Sequence, residues 1–194
     1  MLSVALGLGL IHARDTGPSS AGQSIQGPTA AAPRSLAVDP RDGSLKTASL
    51  GVFRSEDGRR WKSIPVPAPL AQSGIGQVVV NPDKPTLIYA AGVGSGIILS
   101  EDGGTTWRRV AGLPSMAVQA LAIYAFRRET LFASIRGRGI YRTENGGQEW
   151  RRMDGGPDGK PLLALVHSPL PGSMNTGWLY AGTLYGPYVS MDCF

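Results

Sequence analysis

One block of sequence recurs along the chain and restricts its possible folds more than any other feature. It reads Gly51-Val-Phe-Arg-Ser-Glu-Asp57-Gly-Arg-Arg-Trp61, then Gly96-Ile-Ile-Leu-Ser-Glu-Asp102-Gly-Gly-Thr-Thr-Trp107, then Gly139-Ile-Tyr-Arg-Thr-Glu-Asn145-Gly-Gly-Gln-Glu-Trp150. A further copy begins at Gly186-Pro-Tyr-Val-Ser190-Met-Asp192, and a fainter one surrounds Asp15. The anchors at 15, 57, 102, 145 and 192 give a period of roughly 44 residues. Repeats of that length are single supersecondary units that bury their apolar faces only by stacking on their neighbours.

The flanks of the block repeat too. An apolar run precedes each interior copy, as in Leu36-Ala-Val-Asp-Pro40, Val78-Val-Val-Asn-Pro82, Leu121-Ala-Ile-Tyr-Ala125 and Leu165-Val-His-Ser-Pro169. A second run follows, clearest at Leu87–Ala91, Leu131–Ile135 and Leu179–Thr183. The block supplies a third run and the residues from its Trp a fourth. Four short strands joined by Gly and Pro turns fill each unit, the length and strand number of a β-propeller blade. With 27 Gly and 15 Pro in 194 residues, a helical bundle is excluded on propensity alone. The expectation is an all-β propeller of four-stranded antiparallel blades, about four to five units, incomplete at both ends. The units span 1–33 (partial), 34–76, 77–118, 119–161 and 162–194 (partial) as one domain or fragment.

Ser100-Glu-Asp102-Gly-Gly104-Thr-Thr-Trp107 matches the Asp-box, or BNR repeat, Ser-x-Asp-x-Gly-x-Thr-Trp at every fixed position. The chain therefore resembles the BNR/Asp-box propeller superfamily, which includes sialidases, xyloglucanases, sortilin-like receptors and photosystem II assembly factors. Two copies depart from the pattern. Thr143, Asn145 and Glu149 replace Ser, Asp and Thr in one, and the copy at 55–61 lacks one turn residue. An Asp side chain can accept hydrogen bonds from amides a few residues on and so hold a hairpin, while Gly permits positive φ. A structural role is thus expected for Ser55, Asp57, Trp61, Ser100, Asp102, Gly104, Trp107, Thr143, Asn145, Gly147, Trp150, Ser190 and Asp192. One carboxylate per repeat is too dispersed for catalysis or for a calcium site. Trp107 and Trp150 are expected to bury their rings against the neighbouring turn, and Trp178 to pack near a second strand.

Up-and-down connectivity puts the turns between first and second strands on one face with the boxes. The turns between second and third strands share the opposite face with the links between blades. The resemblance implies that a site lies on this second face, over the channel. Candidate binding residues there are Arg136, Arg138, Asp154, Asp158, Lys160 and Tyr185.

Glycoside hydrolysis usually requires two carboxyl groups placed across the scissile bond. Of fourteen acidic residues, boxes and turns on the other face take all but Asp154 and Asp158. No catalytic residue is assigned, and no sialidase-type Arg and Tyr/Glu set maps onto the chain. The preferred reading is a non-catalytic scaffold or recognition module for a protein or glycan. The alternative is a fragment of a secreted glycoside hydrolase of sialidase or xyloglucanase type.

A single Cys and two His leave no zinc site, and no Gly-Lys-Ser/Thr phosphate loop is present, so no metal or cofactor is expected. The net charge of +5 comes from Arg spread along the chain, not from a tract, which argues against a nucleic-acid partner. The pairs Arg59-Arg60, Arg108-Arg109 and Arg151-Arg152 are read as strand residues pointing to opposite faces. His167 is read as a core or channel residue. No run is long enough to span a membrane as a helix, and residues 1–11 lack the basic n-region and cleavage site of a signal peptide. The resemblance implies an extracellular or periplasmic setting. Unpaired blade edges raise the further expectation of self-association.

Overall fold

The computed structural model describes residues 34–39, 41–48, 51–71, 74–157, 159–170 and 177–190. The unit assigned to 1–33, and the candidates Asp158 and Asp192, lie outside these residues.

The described chain is all-β apart from one 3-10 turn at Ala68–Leu70. The first sheet is β1 (Ser35–Val38), β2 (Leu45–Ala48), β3 (Val52–Ser55) and β4 (Lys62–Ile64); the second is β5 (Gln77–Val80), β6 (Ile88–Gly92), β7 (Gly96–Ser100) and β8 (Arg108–Arg109). The third is β9 (Val118–Ile123), β10 (Leu131–Ile135), β11 (Gly139–Thr143) and β12 (Arg151–Arg152), and the fourth is β13 (Leu162–Ser168), β14 (Trp178–Thr183) and β15 (Gly186–Ser190). Every pairing is antiparallel between consecutive strands, so each sheet is a meander. The first strands meet around a common axis, β1 against β5, β5 against β9 and β9 against β13. No described helix is long and apolar enough to cross a membrane.

The core lies between sheets. Val52 of the first sheet packs with Val78, Ile88, Ala90 and Ile98 of the second. Tyr89, Ala91, Ile97 and Leu99 turn the other way onto Leu121, Leu131, Ala133 and Ile135 of the third. Ala120, Ala122, Phe132 and Ile140 then meet Leu162, Leu165, Leu179 and Ala181 of the fourth. β6, β7 and β10 are buried on both faces, which is why they read as unbroken apolar runs and not as alternating ones.

Two expectations need correction. The fourth strands begin one residue after the box Trp, at Lys62, Arg108 and Arg151. Arg59 and Arg60 are turn residues whose amides both donate to Asp57 Oδ1, at 2.9 and 2.8 Å, so the strand argument does not apply to them. Trp107 packs against the core cluster that includes Val52 and Val78, and Trp150 against the one that includes Val110 and Leu121.

Candidate functional site

The box hairpins form one face. Asp102 Oδ1 accepts from the Ser100 hydroxyl at 2.8 Å and the Thr106 amide at 2.9 Å, and Oδ2 accepts from the Thr106 hydroxyl at 2.6 Å. The Ser100 hydroxyl oxygen in turn accepts from the Gly104 amide at 2.7 Å. Thr143 and Asn145 reproduce this: Asn145 Oδ1 accepts from the Thr143 hydroxyl and from the Gln148 and Glu149 amides, and Thr143 Oγ1 accepts from Gly147 N. In the first sheet Asp57 accepts from Ser55 and from two amides. These bonds favour the charged carboxylates. Amide bonds from Arg60 and Arg59 hold Asp57 well below the ordinary carboxylate value, and the Thr106 hydroxyl and amide bring Asp102 down to about 2. Ser190 is half-buried at the end of β15. The boxes are occupied with their own hairpins.

Ion pairs cluster on this same face: Arg41–Asp39, Arg54–Glu56, Arg60–Asp57, Arg108–Glu101, Arg128–Asp83 and Arg142–Glu144. The opposite face is different. A cavity of about 410 Å³ opens there at the axis, lined by Arg34 before β1, Gln77 of β5, Gln119 of β9, Arg136 and Leu162–Leu163 of β13. Three sheets and the residue that precedes the first one contribute to it. Its floor on one side is the link Gly74–Gly76, which crosses the end of β6 so closely that a Cβ on Gly92 would lie 2.2 Å from Gly74 O. The Ser95 hydroxyl and the Gly76 amide fasten this link, at 3.2 Å to Gly74 O and 2.8 Å to Ala91 O. Among the described residues, Arg34 and Arg136 have no ion-pair partner and the lining holds no carboxylate. Gln119 Oε1 is buried without a hydrogen-bond partner.

Arg109 also lies on this side but is committed to structure. Its guanidinium donates to Ser95 O and, at 3.0 Å, to Pro69 O. Arg152 holds the matching turn of the third sheet, Nε to Arg138 O at 3.0 Å. The second Arg after the box Trp therefore ties the outermost strand to the turn between the second and third strands.

The five described candidates do not gather at one place. Arg136 lines the axial cavity. Arg138 is exposed in the adjoining turn, and Tyr185 is exposed in the matching turn of the fourth sheet. Lys160 donates to the Tyr188 hydroxyl, with its ammonium 4.8 Å from that ring's centroid. Asp154 lines a separate cavity of about 520 Å³ beside the third box, with Glu144, Glu149, Arg142 and Arg151. A similar notch of about 420 Å³ recurs beside the first box, so this type of cavity accompanies the repeat, whereas the axial one forms once. Arg34, Gln77 and Gln119 were missed by sequence reasoning. Their only signal is position, at or just before the start of an innermost strand. His167 is a packing residue: its Nδ1 accepts from Ala125 N at 3.1 Å, and its ring stacks on Phe132 and touches Tyr124.

No protein-family model matches the chain. Over 105 residues, 46% of the chain, it is 29% identical to an oligoxyloglucan-reducing end-specific xyloglucanase of Emericella nidulans and covers 13% of that protein. The GH74 xyloglucanase of Xanthomonas campestris superposes with a TM-score of 0.62 at 24% identity, over 81% of this chain and 28% of that one. YCF48 bound to D1 peptide superposes with a TM-score of 0.53 at 14% identity, over 81% of this chain and 48% of that one. The chain has a β-propeller fold of four-stranded antiparallel blades. Its sheets are propeller blades, and the axial cavity is the mouth of the propeller channel on the link face. The chain spans under a third of the xyloglucanases it matches.

Proposed function

We propose that this propeller is a non-catalytic recognition module that binds a protein or glycan partner at the channel mouth on its link face. The supporting observation is the make-up of that mouth among the described residues: two Arg without ion-pair partners and two Gln on backbone-rich walls, with no carboxylate in the lining. Hydrolysis of a glycosidic bond by the usual route would need two carboxyl groups at this place. An extracellular or periplasmic setting accords with such a role and belongs to the same proposal. The test is calorimetric titration of the chain with xyloglucan oligosaccharides and with an acidic peptide, alongside a reducing-sugar assay. One probe should bind without turnover, and Arg34→Ala with Arg136→Ala should weaken it about tenfold, the loss of one charge-assisted hydrogen bond. Binding unchanged by the double substitution would remove the site from the channel mouth.

A second reading, part of a glycoside hydrolase, is favoured by the sequence match to the Emericella nidulans xyloglucanase. Among the described residues, Glu144, Glu149 and Asp154 share one notch that could contribute carboxylates to such an enzyme. Turnover of xyloglucan that is lost in both Glu149→Gln and Asp154→Asn would establish it over the recognition reading.

A further inference from the structure

The turn after the first strand of a blade begins with a short oxygen-bearing side chain and then proline: Asp39-Pro40, Asn81-Pro82 and Ser168-Pro169. Asp39 Oδ1 accepts from the Arg41 amide at 3.0 Å, Asn81 Oδ1 from the Asp83 and Lys84 amides at 2.9 and 3.1 Å, and Ser168 Oγ from the Leu170 amide at 3.2 Å. The prolines bring no N–H that needs an acceptor. The third blade departs from this pattern, with Tyr124 and Ala125 at the same two places. Its register is unchanged: the Tyr124 amide donates to Thr130 O at 2.9 Å, as the Asn81 amide donates to Leu87 O at 3.0 Å. Tyr124 cannot close the turn as Asp39, Asn81 and Ser168 do, and Ala125 adds an N–H that the other three turns lack.

That N–H is met from the next blade. It donates to Nδ1 of half-buried His167 in β13, 42 residues away, at 3.1 Å. Rings of the third blade hold the imidazole: Tyr124 at 4.4 Å between centroids, Phe126 at 6.0 Å, and Phe132 at 6.1 Å and nearly parallel. Gly177 stands close to the same ring, where a Cβ would lie 2.7 Å from His167 Cε1. The equivalent places in the other innermost strands hold Val38, Val80 and Ile123, so an ionisable side chain stands at this joint in one blade of the four. A ring nitrogen accepts from an amide only while it carries no proton. A proton on Nδ1 would set N–H against N–H and leave the Ala125 amide without this acceptor.

We propose that His167 and Ala125 form a proton-sensitive latch between the third and fourth blades, closed at neutral pH and released in mild acid. The released imidazole takes up a proton at the nitrogen that the closed joint reserves for the amide. A free imidazole titrates near about 6.5, so below that pH each unit favours the open joint by up to about tenfold. The titratable and charged groups of the turn facing the imidazole are Tyr124, Arg127, Arg128 and Glu129. Arg128 is paired with Asp83 of the second blade, and Arg127 and Glu129 are exposed. β10 brings Phe132 to the ring, β14 pairs Leu179 with His167, and β13 itself carries no charged residue. Asp57 and Asp102 titrate below 3.8 and so do not enter this window.

Amide exchange of the 194-residue chain tests this, read residue by residue by NMR from about pH 7.5 to about pH 5 and corrected for the intrinsic exchange rate. Protection of the Ala125 amide should fall by up to about tenfold per pH unit below about 6.5. His167→Asn keeps an uncharged acceptor at the place of Nδ1, and its Ala125 protection should be the same at both ends of the range. His167→Val installs the residue found at 38 and 80, and its protection should be low throughout. Both variants retain His12, so a slope that disappears in them belongs to His167. The ring nitrogen shifts of the unaltered chain give a reading that needs no variant, and should show Nδ1 unprotonated at the neutral end. A protonated Nδ1 there would overturn the proposal. So would Ala125 protection in the unaltered chain that ignores pH, or a pH slope that survives in either variant.

Discussion

Gly104 stands against Ile64 of the preceding blade so closely that a Cβ at position 104 would lie 2.3 Å from Ile64 Cγ2. The same contact recurs one blade on, where a Cβ on Gly147 would lie 2.7 Å from Val110 Cγ1. The second box Gly is thus a contact between blades as well as a turn residue. Gly103 beside it has a comparable positive φ of 75° but open space around its missing Cβ. Gly103→Ala should cost about 1–2 kcal/mol from backbone conformation alone. Gly104→Ala should cost about 1–3 kcal/mol more from overpacking, and Ile64→Ala should relieve part of that excess. Urea unfolding of the singles and the double measures the coupling; strictly additive costs would refute the contact.

The boxes should make stability depend on acid. Folded Asp57 and Asp102 titrate below the ordinary value of 3.8, so the folded state holds fewer protons and gains stability above that value. This contribution is lost as pH falls from about 4 through the folded value, about 2 for Asp102. Asp102→Asn, which copies the natural Asn145, should flatten the decline in melting temperature between these limits. An unchanged pH profile would show that the carboxylate gains nothing on folding.

Equivalent box tryptophans should differ. Trp107 Nε1 donates to Gly104 O at 3.1 Å, whereas Trp150 Nε1 is buried without a partner. Substitution by Phe removes a hydrogen bond at 107 and an unsatisfied donor at 150. Trp107→Phe should therefore be the more destabilising by about 1 kcal/mol, read from denaturant midpoints.

Adjacent arginines should separate as sharply. Arg108 pairs with Glu101 where both side chains are 60% exposed, so Arg108→Ala should change stability by no more than about 0.5 kcal/mol. Arg109 ties Ser95 O to Pro69 O, and Arg109→Ala should cost about 2 kcal/mol. It should also loosen the Gly74–Gly76 wall of the channel mouth, visible as faster amide exchange there.

Much of this architecture is legible in the chain because it is local. Asp102 and Thr106, or Thr143 and Gly147, are four residues apart, and a hairpin closed by such bonds carries its instructions in consecutive residues. The strand runs are readable for a related reason: β6 and β10 lie between two neighbours and must be apolar throughout. The site is legible only in part. Arg136 is visible as a Gly-flanked Arg in a turn, but Arg34 gains its place beside it only when the axis brings residues about a hundred positions apart to one rim.

The sequence by itself determined the repeat, the strand meander and the self-contained hairpins, since each depends on residues within one period. Tertiary structure decided which face of each blade meets its neighbour, which Arg is consumed by a turn and which is left at the channel mouth, and that Val166, Tyr180 and Val189 stand open. Those outcomes follow from stacking. The neighbouring blade is what buries Tyr89 and Phe132, while Tyr180 at the equivalent place stays exposed.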